Sequence, residues 1–189
     1  MYPDLLARLR DRLEPDPQVT LASGDRLAAV LVPLVLSPEP SLVFTVRSDQ
    51  LARHAGEVSF PGGMSEPNDP GLRATALREA REEIGLDPEE VEIVGSLPAV
   101  HTFVSGILVV PFVGVLTHSP TLTVDVGEIA GVFTVVLSRL ASLERRIERV
   151  RPDGSVWAGW TYDVDDVSIW GATGQMLHDL LRSADGAVL

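Results

Sequence analysis

The sequence predicts one domain of mixed α/β class. Strand-like apolar runs are interspersed along the chain with segments of helical periodicity. Turns rich in Pro and Gly separate them, several placed as hairpin turns. The 189 residues, 45% hydrophobic and 22% charged, suffice for one packed core. No internal repeat, low-complexity tract or linker divides residues 1–189.

The elements follow in order. Leu5, Leu6, Leu9 and Leu13 recur at helical spacing and predict an amphipathic helix over 4–13. AAVLVPLVL (28–36) and SLVFTVRS (41–48) read as strands split by the turn SPEP. EVSFPGG (57–63) is a strand closed by Pro-Gly-Gly, and MSEPNDPG (64–71) is turn residues almost throughout. A helix is expected from about Leu72 to Ile84, with Gly85 as its C-cap. VEIVGSL (91–97) and ILVVPFVGVLT (107–117) read as strands, and 127–142, from GEIAGVF onward, as a helix. RRIERV (145–150) and GSVWAGWTYDV (154–164), separated by RPDG, predict a hairpin; SIWGATGQMLHDLLRSA (168–184) predicts a closing helix.

Composition narrows the chemistry. Formal net charge is −12, so no basic face invites a nucleic-acid polymer. All 15 basic residues are Arg; the absence of Lys removes Schiff-base chemistry and leaves planar forks suited to phosphate. The absence of Cys removes disulfides, thiolate nucleophiles and Cys-based zinc sites. MYPDLLARLRD lacks the pattern of a signal peptide, and the apolar runs are too short to span a bilayer. The expectation is a soluble cytoplasmic protein with no membrane partner.

TALREAREEIGL (75–86) crowds Glu79, Glu82 and Glu83 at the end of the predicted helix. Each like-charge pair at helical spacing costs about 0.2–0.5 kcal/mol, and the negative end of the helix dipole worsens the position. At about 100° per residue, Glu79 and Glu83 lie about 40° apart, with Glu82 about 60° to the other side of Glu79. Ala76, Leu77, Ala80 and Ile84 occupy the opposite, core-facing side. Converging carboxylates suit hard cations such as Mg²⁺ and Mn²⁺. Taken alone, the pattern also reads as a solvated face, with Arg78 and Glu82 as an i,i+4 pair.

FPGGMSEPNDPGLRATALREAREEIGL (60–86) resembles the Nudix hydrolase box, placed here at about 63–86. Its second half, Arg-Glu-U-x-Glu-Glu-x-Gly-U with U apolar, is matched in full by Arg78 to Leu86. The first half departs: the sixth residue after Gly63 is Asp69 where the family has Glu, and one extra residue precedes Arg78. That leaves the role of Asp69 open. FTVRSDQLARHAGEVSFPGG (44–63) resembles the further signature of the coenzyme A diphosphatase branch through Thr45, Ser48, Leu51, Gly56 and Phe60 to Gly63. Arg47 stands where that signature commonly has Thr, and Ala52 where it has Arg, with Arg53 adjacent. Weaker similarity covers 102–137 and SIWGAT (168–173).

The resemblance implies a Nudix α/β/α sandwich around a mixed sheet. It implies metal-dependent cleavage of coenzyme A, or its derivatives, to 4′-phosphopantetheine and 3′-phosphoadenosine 5′-phosphate, a small-molecule partner. The alternatives are the same chemistry on ADP-ribose or a dinucleotide, or a non-catalytic sensor; a homodimer is left open. Glu79 and Glu83 are the expected ligands of Mg²⁺ or Mn²⁺, with Glu82 joining directly or through water. Arg78 is expected to orient the glutamates. Gly62 and Gly63 are expected to let the backbone approach the metal-diphosphate. Glu128 is the candidate general base, because EIAGVFTVVLSRL resembles the segment after the loop that carries it, with Val136 in place of Pro. The alternative for Glu128 is an acid in the first turn of a helix. His101 and His118 are further basic groups with nothing local to single them out. Arg47, Arg53 and His54 are assigned to substrate phosphates, including a 3′-phosphate. Thr102, Ser105 and Gly106 are placed along the pocket by weaker resemblance. Phe103, Phe133, Trp157, Trp160 and Trp170 read as core or interface rather than stacking platforms.

Overall fold

The structure, a computed structural model, describes residues 2–15, 17–22, 24–48, 56–102, 106–150, 154 and 156–184. Two strands make its spine. β1 (Arg26–Val35) and β7 (Ile107–Leu116) run parallel over their whole lengths, from Arg26 opposite Ile107 to Val35 opposite Leu116. Both are near-continuous apolar runs, as strands buried on two faces must be. On its other edge β1 meets two antiparallel partners: β4 (Gly62–Met64) opposite Ala28 to Val30, and β2 (Ser41–Arg47) opposite Leu34 and Val35. Pro33 falls in the gap between those two registers. β3 (Val58–Ser59) and β8 (Ile129–Val136) pair with β2, while β5 (Glu92–Ser96) and β6 (Val100–Thr102) pair with β7. The result is an eight-stranded mixed sheet.

Period-two alternation along β1 builds a core on each face. Ala28, Val32 and Leu34 point into one, with Leu5 and Leu9 of α1 (Pro3–Arg12), and Leu177 and Leu180 of α4 (Gly171–Ala184). The same core holds Tyr162 and Val164 of β10 (Val156–Val164) and Ile169 of β11 (Val167–Ile169). Those two strands and β9 (Arg145–Val150) form a separate three-stranded sheet. Ala29, Leu31 and Val35 point the other way, against Ala76, Ala80 and Ile84 of α2 (Leu72–Ile84). The layering is the α/β/α sandwich expected from the sequence. Among the described residues no helix is long and apolar enough to cross a membrane.

Three expectations are corrected. The helix placed over 127–142 is a strand, β8, followed by a short helix α3 (Leu137–Leu143). IAGVFTVV is dense in β-branched and aromatic residues, and it pairs with β2 from Ser41/Val136 to Arg47/Ile129. Phe133 stacks on Phe44 at 5.5 Å between centroids. Gly62–Met64, read as a closing turn, is strand β4. The closing helix starts at Gly171 rather than 168, because Val167–Ile169 pairs with β10.

α2 occupies the range its periodicity predicts. Gly85 ends it at φ +67°, where its N–H reaches back to the Arg81 carbonyl at 3.0 Å. The last carbonyls of α2 are also met from outside: Thr123 N–H donates to Ile84 O, and Asp125 N–H to Glu83 O, both at 2.9 Å. The loop leading to Glu128 is thereby fastened to the helix end. Gly85→Ala is expected to cost about 1–2 kcal/mol, from the left-handed backbone and a Cβ only 3.0 Å from Thr123 O. Urea denaturation of the two proteins measures it; equal midpoints would contradict this account of the cap.

Candidate active site

With Ala76, Ala80 and Ile84 committed to the core, α2 turns Glu82 outward, Arg78 toward loop 64–71, and Glu79 and Glu83 toward β4. The β4 backbone lies so close that only glycine fits. A Cβ on Gly63 would stand 2.5 Å from Cδ of Glu79 and 2.6 Å from both its oxygens; one on Gly62 would stand 2.5 Å from Ala29 O and from Val30 Cα. The Gly62 N–H donates to Oε2 of Glu83 at 3.1 Å.

Arg78 spends its five donors on five bonds. Nε and Nη2 grip Asp69 at 3.0 and 3.1 Å, Nη2 also reaches Met64 O at 3.0 Å, and Nη1 bonds Glu79 Oε1 at 2.8 Å and Glu82 Oε2 at 3.0 Å. Asp69, whose role the sequence left open, is therefore the fork's bidentate partner. It also accepts from the Thr75 hydroxyl at 2.8 Å and the Glu66 N–H at 2.9 Å. The Arg78 bonds, then the Glu66 and Thr75 bonds, hold its carboxyl well below the usual carboxylate range. Thr75 and the Met64 carbonyl carried no signal in the sequence, because their roles exist only once loop 64–71 folds over α2.

The glutamates differ in environment. Glu83 is 4% exposed, and burial pushes its carboxyl up to about 7 against the opposing pulls of the Gly62 N–H and Arg47; Glu79 and Glu128 push it further up. Glu79 is also raised, by burial first, with Arg78 opposing and Glu82 and Glu128 adding. Glu82 has a 59% exposed side chain. Glu128 sits on an exposed turn before β8, its carbonyl accepting from Ser48 N–H at 2.8 Å and its N–H donating to Asp125 O at 3.1 Å. No helix begins there, which removes the alternative reading of Glu128 as an acid in a helical first turn.

Arg47 ends β2 at a shift of register against β8. Its Nε is buried and has no hydrogen-bond partner among the described residues, although its charge is felt at Glu83. Arg53, His54, Leu51, Phe103 and Ser105 lie outside the described residues. His101 is 3.8 Å from Asp25, and His118 bonds Thr117 at 3.0 Å. The Thr102 hydroxyl donates to Ile107 O at 3.1 Å, and Gly106 turns at φ +57°. Trp160 lies on His178 at 3.8 Å between centroids, a packing role.

Among the described residues no three acids or histidines converge into a ready ion cage, since Arg78 holds one oxygen each of Glu79 and Glu82. The donor chemistry nonetheless suits a hard divalent cation. All the groups are carboxylates, and burial raises two of them, Glu79 and Glu83, with neighbouring carboxylates adding to it.

For the metal-free protein the sign of the pH dependence follows. Glu83 has a folded pKa of about 7 against an ordinary 4.5. The folded state therefore holds the extra proton between those values, and stability falls as pH rises through that window, flattening above it. Urea denaturation in chelator should show wild type losing on the order of 3 kcal/mol between pH 4.5 and 7.5 relative to Glu83→Gln. Parallel profiles would contradict the burial account of Glu83.

Comparison with known proteins places this geometry. The family description "NUDIX domain" matches residues 25–152. An uncharacterized Nudix hydrolase, NudL, of Photorhabdus laumondii is 37% identical over 180 residues, 95% of each chain. NudL of Klebsiella pneumoniae is 39% identical over 181 residues, 94% of this chain and 91% of the other. A MutT/nudix family protein from Enterococcus faecalis has the same fold at TM-score 0.55 and 16% identity, over 89% of this chain and 63% of that one. So does the NUDIX domain of Shewanella oneidensis NrtR, solved with ADP ribose, at TM-score 0.52 and 19% identity, over 67% and 81%.

Proposed function

Because the chain belongs to the Nudix family of pyrophosphohydrolases, we propose that it cleaves the diphosphate of coenzyme A or its derivatives, with Mg²⁺ or Mn²⁺ held by Glu79, Glu83 and Glu82. The observation that carries an anionic substrate is Nε of Arg47, a buried cationic donor left without a hydrogen-bond partner among the described residues, on a side chain whose charge is felt at Glu83. Leaving such a donor unsatisfied costs free energy, and a phosphate oxygen is the acceptor that suits it. The choice of coenzyme A rests on Thr45, Ser48, Leu51, Gly56 and Phe60 to Gly63, which resemble that branch.

When bound, the cation neutralises the diphosphate oxygens and lowers the pKa of its water. The chain's own residues do the rest. Arg78 is a positioning residue: it fixes Glu79 and Glu82 without facing the substrate. The Gly62 N–H aims Glu83, and Gly63 lets the backbone lie against Glu79. Glu128, on a turn tied to both Ser48 and the end of α2, takes the proton from the attacking water. Arg47 holds the diphosphate itself, and Arg53 and His54 are left for the 3′-phosphate.

Two measurements test this. Millimolar Mg²⁺ should raise the melting temperature by several degrees relative to chelator, because the ion binds only the folded state. Glu83→Gln should lose both that shift and most turnover, while an unshifted wild type would refute the metal seat. In steady-state assays coenzyme A should be cleaved about ten- to a hundredfold better than dephospho-coenzyme A by kcat/KM. Arg53→Ala should erase that preference, and Arg47→Ala should lower both rates alike. Equal wild-type rates, or a preference for ADP-ribose, would move the substrate elsewhere.

A further inference from the structure

The three-stranded sheet runs β11-β10-β9, and β9 is its last strand. The outer backbone edge of β9 has no partner among the described residues. Such an edge is a template for another strand. β9 contains neither Pro nor Gly, and its sequence, RRIERV, is the most basic strand of a chain whose net charge is −12.

Alternation divides its side chains. Arg146, Glu148 and Val150 share one face; Arg146 Nη2 stands 3.7 Å from Glu148 Oε1, both exposed. Arg145 and Ile147 lie on the other face, where Arg145 pairs with Asp163. Ile147 lies opposite Gly159, and the Trp157 ring covers the space that a Gly159 side chain would fill. At the open end of the hairpin Val150 and Val156 are cross-strand partners, yet 74% and 61% exposed.

We propose that β9 pairs antiparallel with β9 of a second copy of this chain, about a two-fold axis through Ile147. The charges select this register. With the axis at Ile147, each Arg146 lies opposite the partner's Glu148, twice by symmetry, and the two Ile147 residues meet between them. Moving the axis to the midpoint of Ile147 and Glu148 sets Ile147 against the partner's Glu148 and takes Arg146 away from its acid. Moving it to Glu148 sets Glu148 against itself. Opposite charges directly across a strand pair stabilise it and like charges destabilise it. In the favoured register Arg145 falls at the backbone position of the partner's residue 149, and Asp163 already compensates the Arg145 charge. β10 and β11, to which β9 is joined, contribute Tyr162, Val164 and Ile169 to the core on the α1 and α4 face, whereas α2 packs on the other, so pairing leaves the glutamates open. One short strand on each side buries less than the roughly 1,200 Å² of stable interfaces, so the dimer is a weak one.

Sedimentation velocity from about 10 to 500 µM is the test, a range in which weak association is read. Wild type should pass from monomer to dimer across it. Arg146→Glu and Glu148→Arg should each raise the dissociation constant at least about tenfold. The combined swap Arg146→Glu/Glu148→Arg re-forms both pairs with reversed polarity and should restore wild-type association. Far-UV circular dichroism confirms that each variant is folded. A wild type monomeric throughout, single variants that still dimerise, or a swap that stays monomeric would each overturn the proposal. Diphosphate cleavage is untouched in all of them, so this result is independent of the substrate assignment.

Discussion

The guanidinium of Arg78 is the constraint on which the rest of the site depends. Its five bonds tie together three pieces of chain that share no secondary structure: the end of β4 through Met64 O, the loop 64–71 through Asp69, and α2 through Glu79 and Glu82. A planar fork is needed, because a lysine could offer only a point charge to partners that lie in several directions. The acid crowding on α2 is thus partly compensated from within. The compensation is uneven. Glu79 and Glu82 share the fork, while Glu83 receives only the Gly62 N–H and the more distant charge of Arg47. The most buried carboxylate is the one left most in need of a cation.

Position and charge are coupled through glycine. Gly63 gives up its side-chain space to the Glu79 carboxylate, and Gly62 does the same for the β1 backbone. The acidic cluster and the sheet therefore meet at β4 through glycine backbone. Small shifts of β1 would reach the glutamates without a side chain to absorb them. The Glu128 turn is fixed in the same manner, by amides of 123 and 125 on the last carbonyls of α2. Seat and candidate base ride on one rigid unit.

What was legible in the sequence was what local periodicity encodes. α2 was readable to its end residues, because its apolar side, acidic side and Gly85 agree. The mixed α/β class followed from interspersed strands and helices, and the sandwich from the resemblance to the Nudix box. What could not be read were the choices decided by distant partners. β8 has apolar residues at spacings that suit a helix, and only pairing with β2 makes it a strand. Pro-Gly-Gly reads as a turn, and only β1 alongside makes β4. The sequence offered Arg78 one partner, Glu82 at i,i+4; Asp69, the strongest, lies across a loop whose spacing departs from the family pattern.

The parallel pairing of β1 with β7 bears on how the chain must be made. Arg26 lies opposite Ile107, so about 80 residues are synthesised between the two halves of the spine, and non-local closure of this kind is slow. At about 5–20 residues per second, a growing chain carries the apolar run 28–36 without its mate for several seconds. During that wait it is the kind of segment that binds its own like. Pro33 inside β1 and Pro111 inside β7 each interrupt such pairing, because proline gives no donor to a stacked strand. The two prolines of the finished spine act as guards for the unfinished one.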